Sequence, residues 1–194
     1  MARAAKLRRS RKESESSMPT PRRHGFTLVE LMATLAVLVT LLTLGVPAFA
    51  GLQQRIRVAT TFHLLSASLA SARIAAVKHG GAVAVCPSSD GRTCRGSTTW
   101  DDGWILFRDP ANAGRPLAAN DVLQVFDGVG GGLALRSTRG RVRVRFTPDG
   151  WAYGSNISIR LCDIRGERRH LGSVVVNNAG RTRSERLEAT ACPF

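Results

Sequence analysis

The chain has 194 residues, with 28 Lys+Arg against 14 Asp+Glu, a formal net charge of +14 and a hydrophobic fraction of 43%. Such apolar content excludes a wholly disordered chain, and 19 glycines without a Gly-X-Y period exclude collagen. All but three of the basic residues are arginine, so the positive surface is built from planar guanidiniums suited to forked oxyanion contacts, which points to a polyanionic or membranous partner.

Residues 1–25 carry eight basic groups and two acidic ones, with Ser and Pro and no apolar periodicity, and read as a leader rather than a fold. Translation from Met18 instead of Met1 would leave a shorter basic leader. Phe26 to Ala50 follows, 25 residues with the single charge Glu30. As a helix it rises about 37 Å, enough to span a bilayer. Arg22 and Arg23 ahead of the run, with no charge between Glu30 and Arg55, keep the leader cytoplasmic and put everything after residue 50 outside the cytoplasm.

A plain anchor and a secretory signal ending at Ala48-Phe49-Ala50 compete for this segment. A secretory core is shorter, about 7 to 15 apolar residues, and carries no carboxylate. A charge near the bilayer centre costs on the order of 2.5 to 3.5 kcal/mol, so Glu30 asks for a partner. The string Gly25-Phe26-Thr27-Leu28-Val29-Glu30, after basic residues and before about twenty apolar ones, resembles the type IV prepilin signal of pilins and type II secretion pseudopilins. That resemblance implies cleavage after Gly25 by a prepilin peptidase, N-methylation of Phe26, and pairing of Glu30 with the terminal amine of a neighbouring subunit during filament assembly. Pro47 would kink or loosen the helix late in the run.

Beyond Gly51, apolar side chains at Leu52, Ile56, Ala59, Phe62, Leu65, Leu69, Ala72 and Ala76 recur every three or four residues and stop at Gly80-Gly81, which predicts an amphipathic helix over 51–80 continuing the membrane helix. From residue 81 to 194 the texture changes to short apolar runs broken by Gly, Pro, Asn and Asp. Strands are predicted at Ala82–Cys86, Trp104–Arg108, Val122–Phe126, Leu133–Arg136, Val142–Phe146, Ile157–Cys162, Ser173–Asn177 and Arg181–Leu187. One long N-terminal helix against antiparallel strands is an α+β architecture.

Four cysteines in an exported chain predict two disulfides, for which three pairings are open. Distance along the chain favours Cys86 with Cys94, leaving Cys162 with Cys192. No C-x-x-C pair occurs and His63, His79 and His170 lack ligand spacing, so no metal is expected.

The order of prepilin signal, long helix, Cys86-Pro87-Ser88-Ser89-Asp90-Gly91 loop, Asp102-Gly103-Trp104-Ile105, a strand ending Leu161-Cys162-Asp163, Gly180-Arg181-Thr182-Arg183 and a last cysteine resembles the GspH/FimT group of minor pilins and pseudopilins. The resemblance implies a type IV pilin-like fold, partners among other pilin subunits, and residence in the inner membrane with a periplasmic domain, extracellular once assembled in a pilus. In the FimT branch a GRxR motif is implicated in DNA binding during natural transformation, so the resemblance implies such a role for Gly180, Arg181 and Arg183. The alternative is a GspH-like pseudopilin, or an assembly-priming minor pilin, that touches other pilins and not DNA.

Arg141, Arg143 and Arg145 alternate with Val142, Val144 and Phe146, which in a strand sets three guanidiniums on one face. An exposed strand needs polar groups there in any case, and arginine also guards sheet edges. After residue 25 the chain holds 20 Lys+Arg against 12 Asp+Glu, with no acidic residue between Gly128 and Arg145. Four to six arginine–phosphate contacts would give a slope of log K against log salt of about −3.5 to −5.5 on duplex DNA, with little dependence on sequence. Gly180 would bring a backbone N–H near a phosphate. Arg165, Arg168 and Arg169 would extend the patch, but their loop also holds Asp163 and Glu167 and reads better as a solvated turn. Tyr153 is the sole tyrosine and Trp100, Trp104 and Trp151 are scattered near glycine turns, so no stacking platform for single strands is expected. The Gly-rich run at 127–135 lacks a dinucleotide fingerprint, Asp101-Asp102 read as turn residues, and no nucleophile or cofactor motif occurs, so no catalysis and no cofactor are expected.

Overall fold

The computed structural model describes residues 25–194, apart from the side chains of residues 187–189. The basic leader, residues 1–24, lies outside the described residues. The chain divides into two compact units, Met1–Val46 and Pro47–Phe194, at the proline of the helix.

Helix α1 (Leu28–His79) begins two residues after Phe26. Thr27 is its N-cap: its Oγ1 accepts the Glu30 N–H at 3.2 Å and its carbonyl accepts the Leu31 N–H at 3.1 Å. Glu30 therefore sits three residues past a threonine cap, the spacing of a capping box, where a carboxylate also meets the positive end of the helix dipole. The first unit is this apolar half of α1, long and apolar enough to cross a membrane, with its side chains exposed.

In the second unit, α1 buries Phe62, Leu65, Leu69, Ala72 and Ala76. The stripe was expected to pack from Leu52 onward, but Leu52 and Ile56 are exposed. On a helical wheel these two lie with Ile74 and Val77 within roughly 60° of one another, on the side away from the buried row. The helix thus carries a second apolar face that the domain leaves open.

Eight strands are present among the described residues: β1 (Val83–Pro87), β2 (Gly103–Arg108), β3 (Val122–Asp127), β4 (Leu133–Ser137), β5 (Val144–Phe146), β6 (Ile157–Asp163), β7 (Arg169–Val176) and β8 (Thr182–Ala191). They form two four-stranded sheets, ordered β3-β2-β1-β5 and β4-β6-β7-β8, with antiparallel neighbours throughout. Val83, Val85, Leu106 and Phe146 from the first sheet meet Leu135, Ile157, Ile159, Leu161, Val174 and Val176 from the second in one core under the helix. Trp104 anchors the first sheet to the helix, its buried indole N–H donating to Ser68 Oγ at 2.9 Å. Between the sheets, Asp101 accepts the Leu135 N–H at 2.6 Å and pairs with Arg136, while Asp102 pairs with Arg95, so these adjacent carboxylates hold separate turns.

Cys86 is bonded to Cys94 and Cys162 to Cys192, with Cα–Cα distances of 5.6 and 6.0 Å. In the first loop Asp90 accepts the N–H groups of Arg92 and Thr93, both at 2.8 Å, and the Thr93 hydroxyl at 2.7 Å. Those backbone and hydroxyl bonds hold its carboxyl far below the usual carboxylate range.

Candidate nucleic-acid interface

The arginine run preceding Phe146 is only partly a strand. β5 starts at Val144, so Arg141 and Arg143 lie in the approach to it and only Arg145 is paired, opposite Ala84. The three side chains do not present a uniform row. Arg145 turns inward: its Nε lies 3.6 Å from Oδ2 of Asp109, whose side chain is 1% exposed, and its Nη2 donates to the Asp109 carbonyl at 3.2 Å. A buried carboxylate needs such a partner, so Arg145 serves the fold. Arg141 is exposed and donates from Nη1 to the Gly154 carbonyl, and Arg143 lies over Gly114 with no carboxylate partner among the described residues. Arg141, Arg143 and Arg145 nonetheless border one polar groove of about 500 Å³, which Tyr153 and Ser155 also line.

The second cluster sits on the β7–β8 turn. Asn177 accepts the Gly180 N–H on its carbonyl at 2.9 Å and the Arg181 N–H on its side-chain oxygen at 2.9 Å. Gly180 therefore has no N–H to offer a phosphate. Its glycine requirement is conformational: φ is +71°, and a side chain would run into the Gly150 carbonyl oxygen. Arg181 is exposed, and Arg183, outward from Val175 across the ladder, pairs with Glu185 at 2.8 Å. That pair is exposed on both sides, 67% and 44%, and worth at most about 1 kcal/mol, so Arg183 can exchange its partner for a phosphate.

What joins the two clusters is the loop between β5 and β6. Its Gly150 packs on Gly180 and its Ala152 N–H donates to the Asn178 carbonyl at 2.8 Å, while Tyr153 and Gly154 wall the Arg141–Arg143 groove. Arg73, on the exposed side of α1, completes the set: a Cβ added at Gly150 would lie 3.2 Å from its Nε, and one at Gly180 3.4 Å. Sequence reasoning missed Arg73 because nothing local distinguishes it from any solvated helix arginine.

The same loop carries two exposed aromatic rings. Trp151 and Tyr153 are stacked, with ring centroids 5.4 Å apart and planes within 9°, and they are 44% and 59% exposed. Trp100 and Trp104, by contrast, are core residues at 0% and 1% exposure. The Asp149 carboxylate accepts the Thr147 hydroxyl, the Trp151 N–H and the Tyr153 hydroxyl. The Thr147 bond leads in holding its pKa down, and partial desolvation together with this carboxylate raises that of Tyr153.

Arg165 and Arg169 do not extend this surface. They lie at the β6–β7 hairpin, and the seven steps from Arg169 to Val176 carry β7 about 23 Å away from it. Burial opposes ionisation of Asp163 there, but hydrogen bonds from the Arg165 side chain and backbone outweigh it and lower its pKa. With Arg55, Arg186 and Phe62 these residues line a separate cavity of about 710 Å³.

Comparison with known proteins adds three findings. The family described as "Type II transport protein GspH" matches residues 62–180, and the prokaryotic N-terminal methylation motif matches residues 20–46. Arg181 and Arg183 lie just past the first match. Among solved structures, the type IV minor pilin FimU of Pseudomonas aeruginosa superimposes with a TM-score of 0.56 at 20% identity, covering 73% of this chain and 98% of that one. A second crystal form of FimU gives 0.50 at 19% identity over 70% and 98%. No curated protein matches the sequence significantly.

Proposed function

The chain belongs to the GspH family and is a minor type IV pilin or pseudopilin, and from that premise we propose that it displays its arginine surface to bind extracellular DNA, without sequence preference, for natural transformation. One observation carries the reading: the loop between β5 and β6 joins the Arg141–Arg143 groove, the Arg181 turn and Arg73 into one basic face. Arg145 is excluded from the contact set by Asp109. Arg73, Arg141, Arg143 and Arg181 then give a salt slope of about −3.6 on duplex DNA, and Arg183, released from Glu185, brings it to about −4.5.

The subunit would sit in the inner membrane through residues 26–50 with residues 51–194 in the periplasm, reaching the outside when assembled. Cleavage after Gly25 by a prepilin peptidase would expose Phe26 for methylation and let its amine meet Glu30 of a neighbour, neutralising two charges in hydrocarbon. The test is a mobility shift with the full chain in detergent, comparing wild type with Arg181→Gln/Arg183→Gln. Weaker binding and a shallower salt slope support DNA capture; unchanged affinity removes the motif from it.

A purely structural role is favoured by a different observation, the second apolar face of α1 at Leu52, Ile56, Ile74 and Val77, which suits packing against other pilins. Deleting the gene separates the readings: loss of transformation with filaments intact supports DNA capture, whereas loss of the filaments supports the structural role.

A further inference from the structure

We infer that the Trp151–Tyr153 pair is a base-stacking platform, so that the polymer this surface holds best is single-stranded DNA. The inference rests on the DNA reading above and deepens it. Large aromatic side chains are usually kept from water, yet these two are 44% and 59% exposed in a chain whose other tryptophans are fully buried. They are pre-stacked at 5.4 Å with nearly parallel planes. Little rotamer freedom is left to lose when a base slides onto them.

Their setting supplies charge complementarity. Tyr153 forms a wall of the groove bordered by Arg141 and Arg143, and Trp151 follows Gly150, which packs on the Gly180 turn ahead of Arg181. Aromatic rings between cations are the arrangement by which proteins hold single strands, bases on the rings and phosphates on the guanidiniums. Asp149 reinforces the division: bonded to both residues, its carboxylate fixes the loop and repels phosphate from the rings themselves. Duplex DNA, whose bases face inward, can use the arginines but not the rings.

The experiment uses the full chain in detergent with two probes, a labelled oligothymidylate and a duplex of equal length. Because Trp100 and Trp104 are buried, quenching of tryptophan emission reports Trp151. Single strand is expected to quench it and to bind more tightly than duplex. Trp151→Ala/Tyr153→Ala is expected to weaken single-strand binding about 5- to 150-fold, a larger loss than for duplex, and Trp151→Phe/Tyr153→Phe to restore single-strand binding. Duplex binding with no quenching by bound single strand, or an equal loss for both polymers in the alanine variant, overturns the platform and leaves the arginine reading standing. Binding of neither polymer overturns both.

Discussion

Gly180 rests against the carbonyl of Gly150, so the turn that carries Arg181 and the loop that carries Trp151 are one packed unit more than 25 residues apart in the chain. Both glycines hold positive φ, +71° and +79°, where any other residue is strained. Gly180→Ala is expected to cost about 1 to 3 kcal/mol in urea unfolding and to weaken DNA binding with it, because the methyl group forces the two loops apart.

Arg143 and Arg145 stand two residues apart, one ahead of β5 and one within it, with opposite expectations. Arg145→Gln leaves the Asp109 carboxylate inside the domain without its cation, still accepting the Gly114 N–H, and should destabilise by about 3 kcal/mol. Arg143→Gln should stay within about 0.5 kcal/mol of wild type while lowering DNA affinity. Paired melting and binding measurements on the two variants check this.

The Asp90 loop gives a pH dependence with a definite sign. Its folded pKa lies below the ordinary 3.8, so its stabilising contribution is complete above that pH and is lost as pH falls through the folded value. Amide exchange at Arg92 and Thr93 should begin to lose protection only as pH falls below 3.8 and go on losing it down through the folded value, and Asp90→Asn should abolish that change.

The two disulfides should differ in weight. Removing Cys162–Cys192, which spans 30 residues, is expected to cost about 3 to 4 kcal/mol, against about 2.5 for Cys86–Cys94, which spans 8. Denaturant titration of the two paired Cys→Ser variants measures the difference.

Glu30 has two candidate duties, capping the helix behind Thr27 and neutralising a neighbour's amine. Glu30→Gln keeps the capping geometry and removes the charge. If charge pairing drives assembly, filaments sheared from cells should lose the variant subunit while its level in the membrane is unchanged.

Much of the architecture was legible because it follows from periodicity. The Phe62, Leu65, Leu69, Ala72 and Ala76 spacing predicts the buried helix face, and each predicted strand overlaps an observed one. The failures are long-range. Nothing near Arg145 announces Asp109, 36 residues away, so alternation alone made it a surface residue. Arg73 is joined to the Gly180 turn only by folding. Trp151 and Tyr153 looked scattered because a loop, not a helix or strand, stacks them, and loops carry no period to read. A three-or-four spacing read loosely groups Leu52 and Ile56 with the buried row; on the helix they fall on the opposite face, with Ile74 and Val77, and are exposed.

The bond from Cys162 to Cys192 has a consequence for timing. It closes a loop that contains Arg181 and Arg183, and thiols pair only where the surroundings are oxidising. On the proposed orientation that bond is made after translocation, so the basic rim reaches its final stability only when a bilayer already separates it from the chromosome.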